Sequence, residues 1–203
     1  MSFYTLGNSN HRGFIFIGPP KCGSTAIRFW AKSVYGDHSI VHKSGEHFGI
    51  DSAEFTNLDL PTVGIVRNPY DRMISVFKYL YKTHDYYNDD EVMPLATASG
   101  FEEFVVYTYE HDLKDKNISF KKPLVDYFKK DGKIVTLTHL IKLEEINSRK
   151  GWSLLQSFCK TNHPPVYANQ STLKIDRSIY TPKSKSLVKE MFAEDLEHFS
   201  YSF

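Results

Sequence analysis

Gly13-Phe14-Ile15-Phe16-Ile17-Gly18-Pro19-Pro20-Lys21-Cys22-Gly23-Ser24-Thr25 is the stretch from which the fold is read. Residues 13 to 17 are a short, uninterrupted apolar run closed by glycines, the composition of a strand buried on both faces in a parallel sheet. The run is therefore expected to be the central strand. Beyond it, Ala26, Ile27, Trp30 and Val34 recur at helical spacing, and Gly36 supplies a stop. A loop between a buried strand and a helix is where backbone N–H groups converge on an anion. Gly18 and Gly23 keep the GxxxxG spacing of a nucleotide-triphosphate loop, but Ser24 occupies the lysine position and the lysine stands earlier, at Lys21. The loop is thus expected to hold an anion in a different way.

Working outward, a second unit repeats the order. Thr62-Val63-Gly64-Ile65-Val66 is a short apolar strand, followed by Asn68 as N-cap, Pro69 at the first helical position and Asp71 two residues on. Met73, Ile74, Phe77, Leu80 and Tyr81 form one apolar stripe, and Ser75 falls with Asn68 and Asp71 on the other side. Arg67 precedes this capped helix, so a guanidinium and a helix N-terminus make a second anion site. Further on, helices are expected at 101 to 111, 121 to 130 and 152 to 159, a strand at 133 to 138, and a long loop or lid at 84 to 100. Thr181 and Pro182 cap a last helix whose Leu187, Val188, Met191, Phe192, Leu196 and Phe199 should pack on the sheet. Strands alternating with helices imply an α/β fold, a P-loop-like parallel sheet flanked by helices, in a single domain spanning 1–203.

Composition narrows the partners. In 203 residues, 25 Lys+Arg balance 24 Asp+Glu for a formal net charge of +1, so no broad basic field exists for a nucleic-acid backbone. The longest apolar run falls far below the roughly 20 residues that span a bilayer, and residues 1 to 5 lack a basic leader region. The expectation is no membrane span and a cytoplasmic location. Cys22 and Cys159 have no CxxC spacing, which leaves two reduced thiols as the expectation. A kinase or ATPase would also need a carboxylate for Mg²⁺ at a strand end. The strands end instead in Val66-Arg67-Asn68 and Thr138-His139, so no metal is expected.

Taken together, these residues resemble a known family. Pro20-Lys21-Cys22-Gly23-Ser24-Thr25 is similar to the 5′-phosphosulfate loop, PKxG[ST][ST], of sulfotransferases that use 3′-phosphoadenosine 5′-phosphosulfate (PAPS). Arg67-Asn68-Pro69-Tyr70-Asp71-Arg72-Met73-Ile74-Ser75 is similar to that family's 3′-phosphate motif, RNPxDRxxS. Leu140 to Ile146 and Tyr180 to Tyr201 resemble segments of its carbohydrate-type branch, the sulfotransferase family 2-like group. The resemblance implies transfer of a sulfuryl group from PAPS to an acceptor hydroxyl, on a carbohydrate or a small-molecule alcohol, with release of PAP.

It also implies roles. Lys21 would neutralise charge on the departing phosphate, and Cys22 (through its backbone), Gly23, Ser24 and Thr25 would bind the 5′-phosphate. Arg67 and Ser75 would take the 3′-phosphate. The base would come from His42-Lys43-Ser44-Gly45-Glu46-His47, where Glu46 and His47 are the even choices and His42 stands behind them. Asp71 and Arg72 are read as pairing with each other or capping their helix, and Arg149-Lys150-Gly151 as a charged turn. Residues 163 to 171, with Lys174 and Arg177, close over the nucleotide by analogy or form a solvated loop. Two other readings stand beside this one: a P-loop small-molecule kinase, and a non-catalytic protein of the same fold that binds PAP or a sulfated glycan.

Overall fold

The computed structural model describes residues 1–41, 47–53, 55, 58–83, 100–112, 114–115, 118–147, 150–168 and 175–203. In chain order the elements are β1 (Phe3–Gly7), β2 (Arg12–Ile17), α1 (Ser24–Tyr35), β3 (Thr62–Val66), α2 (Pro69–Thr83), α3 (Phe101–Glu110), β4 (Lys114–Asp115), β5 (Ile118–Ser119), β6 (Lys129–Lys130), β7 (Lys133–Ile134), β8 (His139–Lys142), α4 (Leu143–Asn147), α5 (Lys150–Cys159), α6 (Pro182–Met191) and α7 (Ala193–His198). Backbone contacts group them into two compact units, Met1–Arg67 with Leu124–Gln170, and Asn68–Pro123 with Ser171–Phe203.

The first unit holds a mixed four-stranded sheet of order β1-β2-β3-β8. β2 is an interior strand, and Phe14 to Ile17 are all buried. β2, β3 and β8 run parallel, with Ile17 opposite Gly64 and Val66 opposite Lys142. The sheet departs from the expected all-parallel one because β1 pairs antiparallel with β2. The cause is a hairpin: Gly7 takes a φ of 78°, and the Asn8 carboxamide accepts hydrogen bonds from the N–H groups of Asn10 and His11 at 2.9 and 2.8 Å. So short a connection can join only antiparallel neighbours.

Helices cover this sheet. The α1 and α5 side chains meet through Trp30 and Trp152, whose ring centroids lie 5.7 Å apart. Phe158 of α5 reaches Phe14 of β2 edge-on at 6.0 Å. Fully burying side chains of this size contributes about 1.5–3 kcal/mol each. Among the described residues no helix is long and apolar enough to cross a membrane.

Two expected elements are corrected here. The helix placed at 121 to 130 is a single 3-10 turn, Val125–Phe128: Pro123 disfavours helical backbone before it, and the chain after the turn enters the β6–β7 hairpin at Lys129. The strand placed at 133 to 138 is instead the second arm of a β6–β7 hairpin, pairing Lys130 with Lys133. Asp131 and Gly132 turn it with φ of 51° and 75°, an Asp-Gly turn of the kind two-residue hairpins favour. The third parallel strand therefore starts at His139 and ends at Lys142.

In the second unit, α2 contributes Tyr70, Met73, Ile74, Val76 and Leu80 to a core completed by Phe101, Phe104 and Val105 of α3 and by Val188 and Phe192. Tyr81, expected in the apolar stripe, is 52% exposed. The last helix is two helices, broken at Phe192 with φ −123° and ψ 33°. Thr181 caps α6 as expected, in a reciprocal box with Ser184. Within this unit α6 packs on α3 and α2.

One close approach fixes how β2 hands over to α1. A Cβ on Gly18 would fall 2.5 Å from the Met1 carbonyl oxygen, 2.6 Å from Phe16 and 2.7 Å from the Ser24 Cβ. Gly18→Ala should lower the unfolding free energy by about 1–3 kcal/mol in a urea titration, as overpacked cores do. A change below about 0.5 kcal/mol would show that the loop yields freely.

Candidate functional site

The loop after β2 turns through two left-handed residues. Lys21 has φ 64° and Gly23 φ 79°, the second a conformation that glycine adopts without Cβ strain. Gly23 is also the N-cap of α1 and gives that helix no side-chain acceptor. Leu143, the first residue of α4, crowds Gly23 so closely that an added Cβ would lie 2.6 Å from its Cδ1. The segment following β8 thus braces the loop following β2. Within the loop Lys21, Gly23 and Thr25 are partly exposed, whereas Cys22 and Ser24 are buried.

Arg67 stands directly after β3. Its Nη1 donates to the Lys21 carbonyl at 3.1 Å. Parallel pairing of β2 with β3 brings the ends of both strands to one sheet edge, where ligands of open α/β sheets sit. Lys21, Gly23, Ser24, Thr25 and Arg67 are therefore brought together. A guanidinium tied to a lysine-bearing loop at a helix start is chemistry that can bind and orient a phosphate or sulfate, because each side chain supplies positive charge without needing a proton to move.

His47 also reaches this loop. Its ring lies against the Gly18 carbonyl and the Met1 amino group. That amino group donates to the Gly18 carbonyl at 2.8 Å and to the Ser24 hydroxyl at 3.0 Å. Ser2 completes the stitching, donating from its hydroxyl to the Phe48 carbonyl at 2.8 Å and accepting from the Gly18 N–H at 3.1 Å. Sequence reasoning missed Met1 and Ser2, since nothing in their spacing marks them; only the antiparallel β1 carries them to the loop. Glu46 and His42 lie outside the described residues, as do Arg149, residues 84–99 and Lys174.

Ser75 is a half-buried residue of α2, off the fully buried face as expected. Asp71 and Arg72 do not pair with each other. Asp71 receives two hydrogen bonds from Arg177, at 2.8 and 2.7 Å, and Arg72 is buried, donating to the Lys122 carbonyl at 3.1 Å. Successive positions on a helix point about 100° apart, so neighbours in sequence rarely meet. Arg177, considered above for the nucleotide, is thus engaged in a bidentate ion pair.

One of the two carboxylates that follow β8 is committed. Glu145 is held below the usual carboxylate range by Lys150, 3.0 Å away. Because the third parallel strand ends at Lys142 and not at Thr138, the residues that follow it are Leu143 and two glutamates, Glu144 and Glu145, so the expectation that no carboxylate follows this strand is corrected.

Comparison with models of known protein families and with curated protein sequences gave no match.

Both cysteines are unbridged and buried. The Cys22 thiol donates to the Pro20 carbonyl at 3.6 Å, turned into the loop's own backbone. Burial pushes the Cys159 thiol up to about 11, which keeps it in the unreactive thiol form at pH 8. The native protein should therefore resist iodoacetamide at pH 8 and take up two equivalents only when unfolded, as mass spectrometry would read. Rapid labelling of the native protein at Cys22 would mark that thiol as activated.

Proposed function

We propose that this chain is a PAPS-dependent sulfotransferase, passing a sulfuryl group from PAPS to the hydroxyl of a carbohydrate or small-molecule alcohol and releasing PAP. The observation that carries the reading is the hydrogen bond from Arg67 to the Lys21 carbonyl. It brings the first residue of the second motif to the loop of the first. The P-loop-like description of the sheet belongs to this reading, supported by the strand, left-handed loop and helix at Ile17 to Ser24.

In the proposed reaction the acceptor oxygen attacks sulfur in line while the bond from sulfur to the phosphate oxygen breaks. PAP leaves with that electron pair. Lys21 stabilises the charge growing on the departing oxygen, the kind of fixed electrostatic contribution that accelerates group transfer most. The 5′-phosphate rests on Gly23, Ser24, Thr25 and the Cys22 backbone, and Arg67 with Ser75 takes the 3′-phosphate. The acceptor proton passes to Glu46 or His47; of the two, His47 has support in its position against Gly18. An imidazole has the better ordinary pKa for this task near neutrality. PAPS carries its own good leaving group, so a metal ion is not part of the scheme.

The test uses PAPS labelled at sulfur, a chelator, and a panel of saccharides and simple alcohols. Label should move to at least one acceptor, and Lys21→Ala should slow transfer by about 100- to 1000-fold. Transfer of the terminal phosphate of Mg²⁺-ATP in its place would replace this reading with a kinase. PAP binding with no transfer across the panel would replace it with a non-catalytic binding protein.

A further inference from the structure

The first turn of α2 is held by a distant part of the chain. Asn68 caps that turn, accepting from the Tyr70 N–H at 3.0 Å through its side chain and from the Arg72 N–H at 2.8 Å through its carbonyl. The other end of the Asn68 carboxamide donates to the Ser202 carbonyl at 2.7 Å. Arg177 donates to the same carbonyl at 3.4 Å while its other nitrogens grip Asp71.

Phe203 then lies edge-on to Tyr70 and to Tyr180, with ring centroids 4.9 and 5.5 Å away. The Lys185 ammonium stands 3.6 Å over its centroid. The Tyr180 hydroxyl closes the cage by donating to the Tyr70 carbonyl at 2.9 Å.

An aromatic ring at this position is 42% exposed, so core burial alone does not account for its contacts. The contacts converge on Asn68 and Tyr70, inside the stretch Arg67 to Ser75. We propose that Ser202 and Phe203 are positioning residues: they latch the first turn of α2 and thereby set the orientation of the 3′-phosphate motif. The inference rests on the sulfotransferase reading for its link to PAP, but the latch itself does not.

Each contact contributes in a defined way. The Ser202 carbonyl fixes the rotation of the Asn68 carboxamide, since only its NH₂ end can donate. The oxygen end is then left pointing at the Tyr70 N–H. Edge-on aromatic pairs and a cation over a ring are each specific in geometry, so they select one pose of Phe203 over the many open to an exposed side chain.

The test compares Phe203→Ala, Phe203→Tyr and Lys185→Gln with the parent protein, well below their unfolding temperatures. Lys185 is exposed, and its replacement removes only the cation, so it keeps the question open to measurement where Phe203→Ala fails to fold. Two quantities are read: hydrogen exchange of the Tyr70 and Arg72 amides, and the dissociation constant for PAP. Phe203→Ala should speed exchange of both amides by roughly tenfold and weaken PAP by a similar factor. Lys185→Gln should shift both in the same direction by about threefold, and Phe203→Tyr should restore both.

Unchanged exchange in Phe203→Ala and Lys185→Gln would overturn the latch. Faster exchange with unchanged PAP affinity would overturn the positioning role. Faster exchange in a protein whose parent form binds no PAP would leave the latch standing and remove the sulfotransferase reading instead.

Discussion

The parallel register of β2 with β3 is the constraint on which the site depends. With Ile17 opposite Gly64, the chain leaves both strands at one edge, so the loop at Lys21 and the arginine at position 67 meet without a long excursion of either. The hydrogen bond between them is local. In it the guanidinium is the donor and the loop carbonyl the acceptor, so it ties Arg67 to the backbone of the loop. The loop itself turns sharply because Gly18 sits against Ser24 with no room for a side chain.

Several charges in and beside the motifs are held by internal partners. Asp71 is consumed by Arg177, Glu145 by Lys150, and Arg72 is turned into the interior. Each of these charges has an internal structural partner, which fits their having no part in the proposed chemistry. Lys21 and Arg67 belong to the loop that leads into α1 and to the residue before α2, and a helix start favours negative charge. In the proposed reading, a ligand carrying two separated phosphate groups is the class that such an edge would suit.

Much of this arrangement was legible in the residues, and the exceptions have physical causes. The strand at 62 to 66, the Asn68 and Thr181 caps and the helix stop at Gly36 were readable because each rests on a local rule: an apolar run, a side-chain cap, a left-handed glycine. β1 was not recognised, because Phe3 to Gly7 is short and its partner is supplied by the hairpin. Residues 121 to 134 were misread since apolar spacing was weighed above Pro123 and the Asp131-Gly132 turn, which were the stronger signals. The site was legible where motif residues sit beside one another in sequence. The approach of Met1, Ser2 and His47 to Gly18 was not, because it depends on tertiary pairing of β1, and the pairing of Asp71 with Arg177 spans 106 positions.

The central claim is that the edge formed by Lys21 to Thr25 and Arg67 binds the donor nucleotide without a metal. Calorimetric titration with PAP in the presence of a chelator tests it most directly, with Mg²⁺-ATP as comparator and Lys21→Ala and Arg67→Ala as controls. The account predicts metal-independent PAP binding that weakens in both variants. Tight Mg²⁺-ATP binding with no heat from PAP would contradict it.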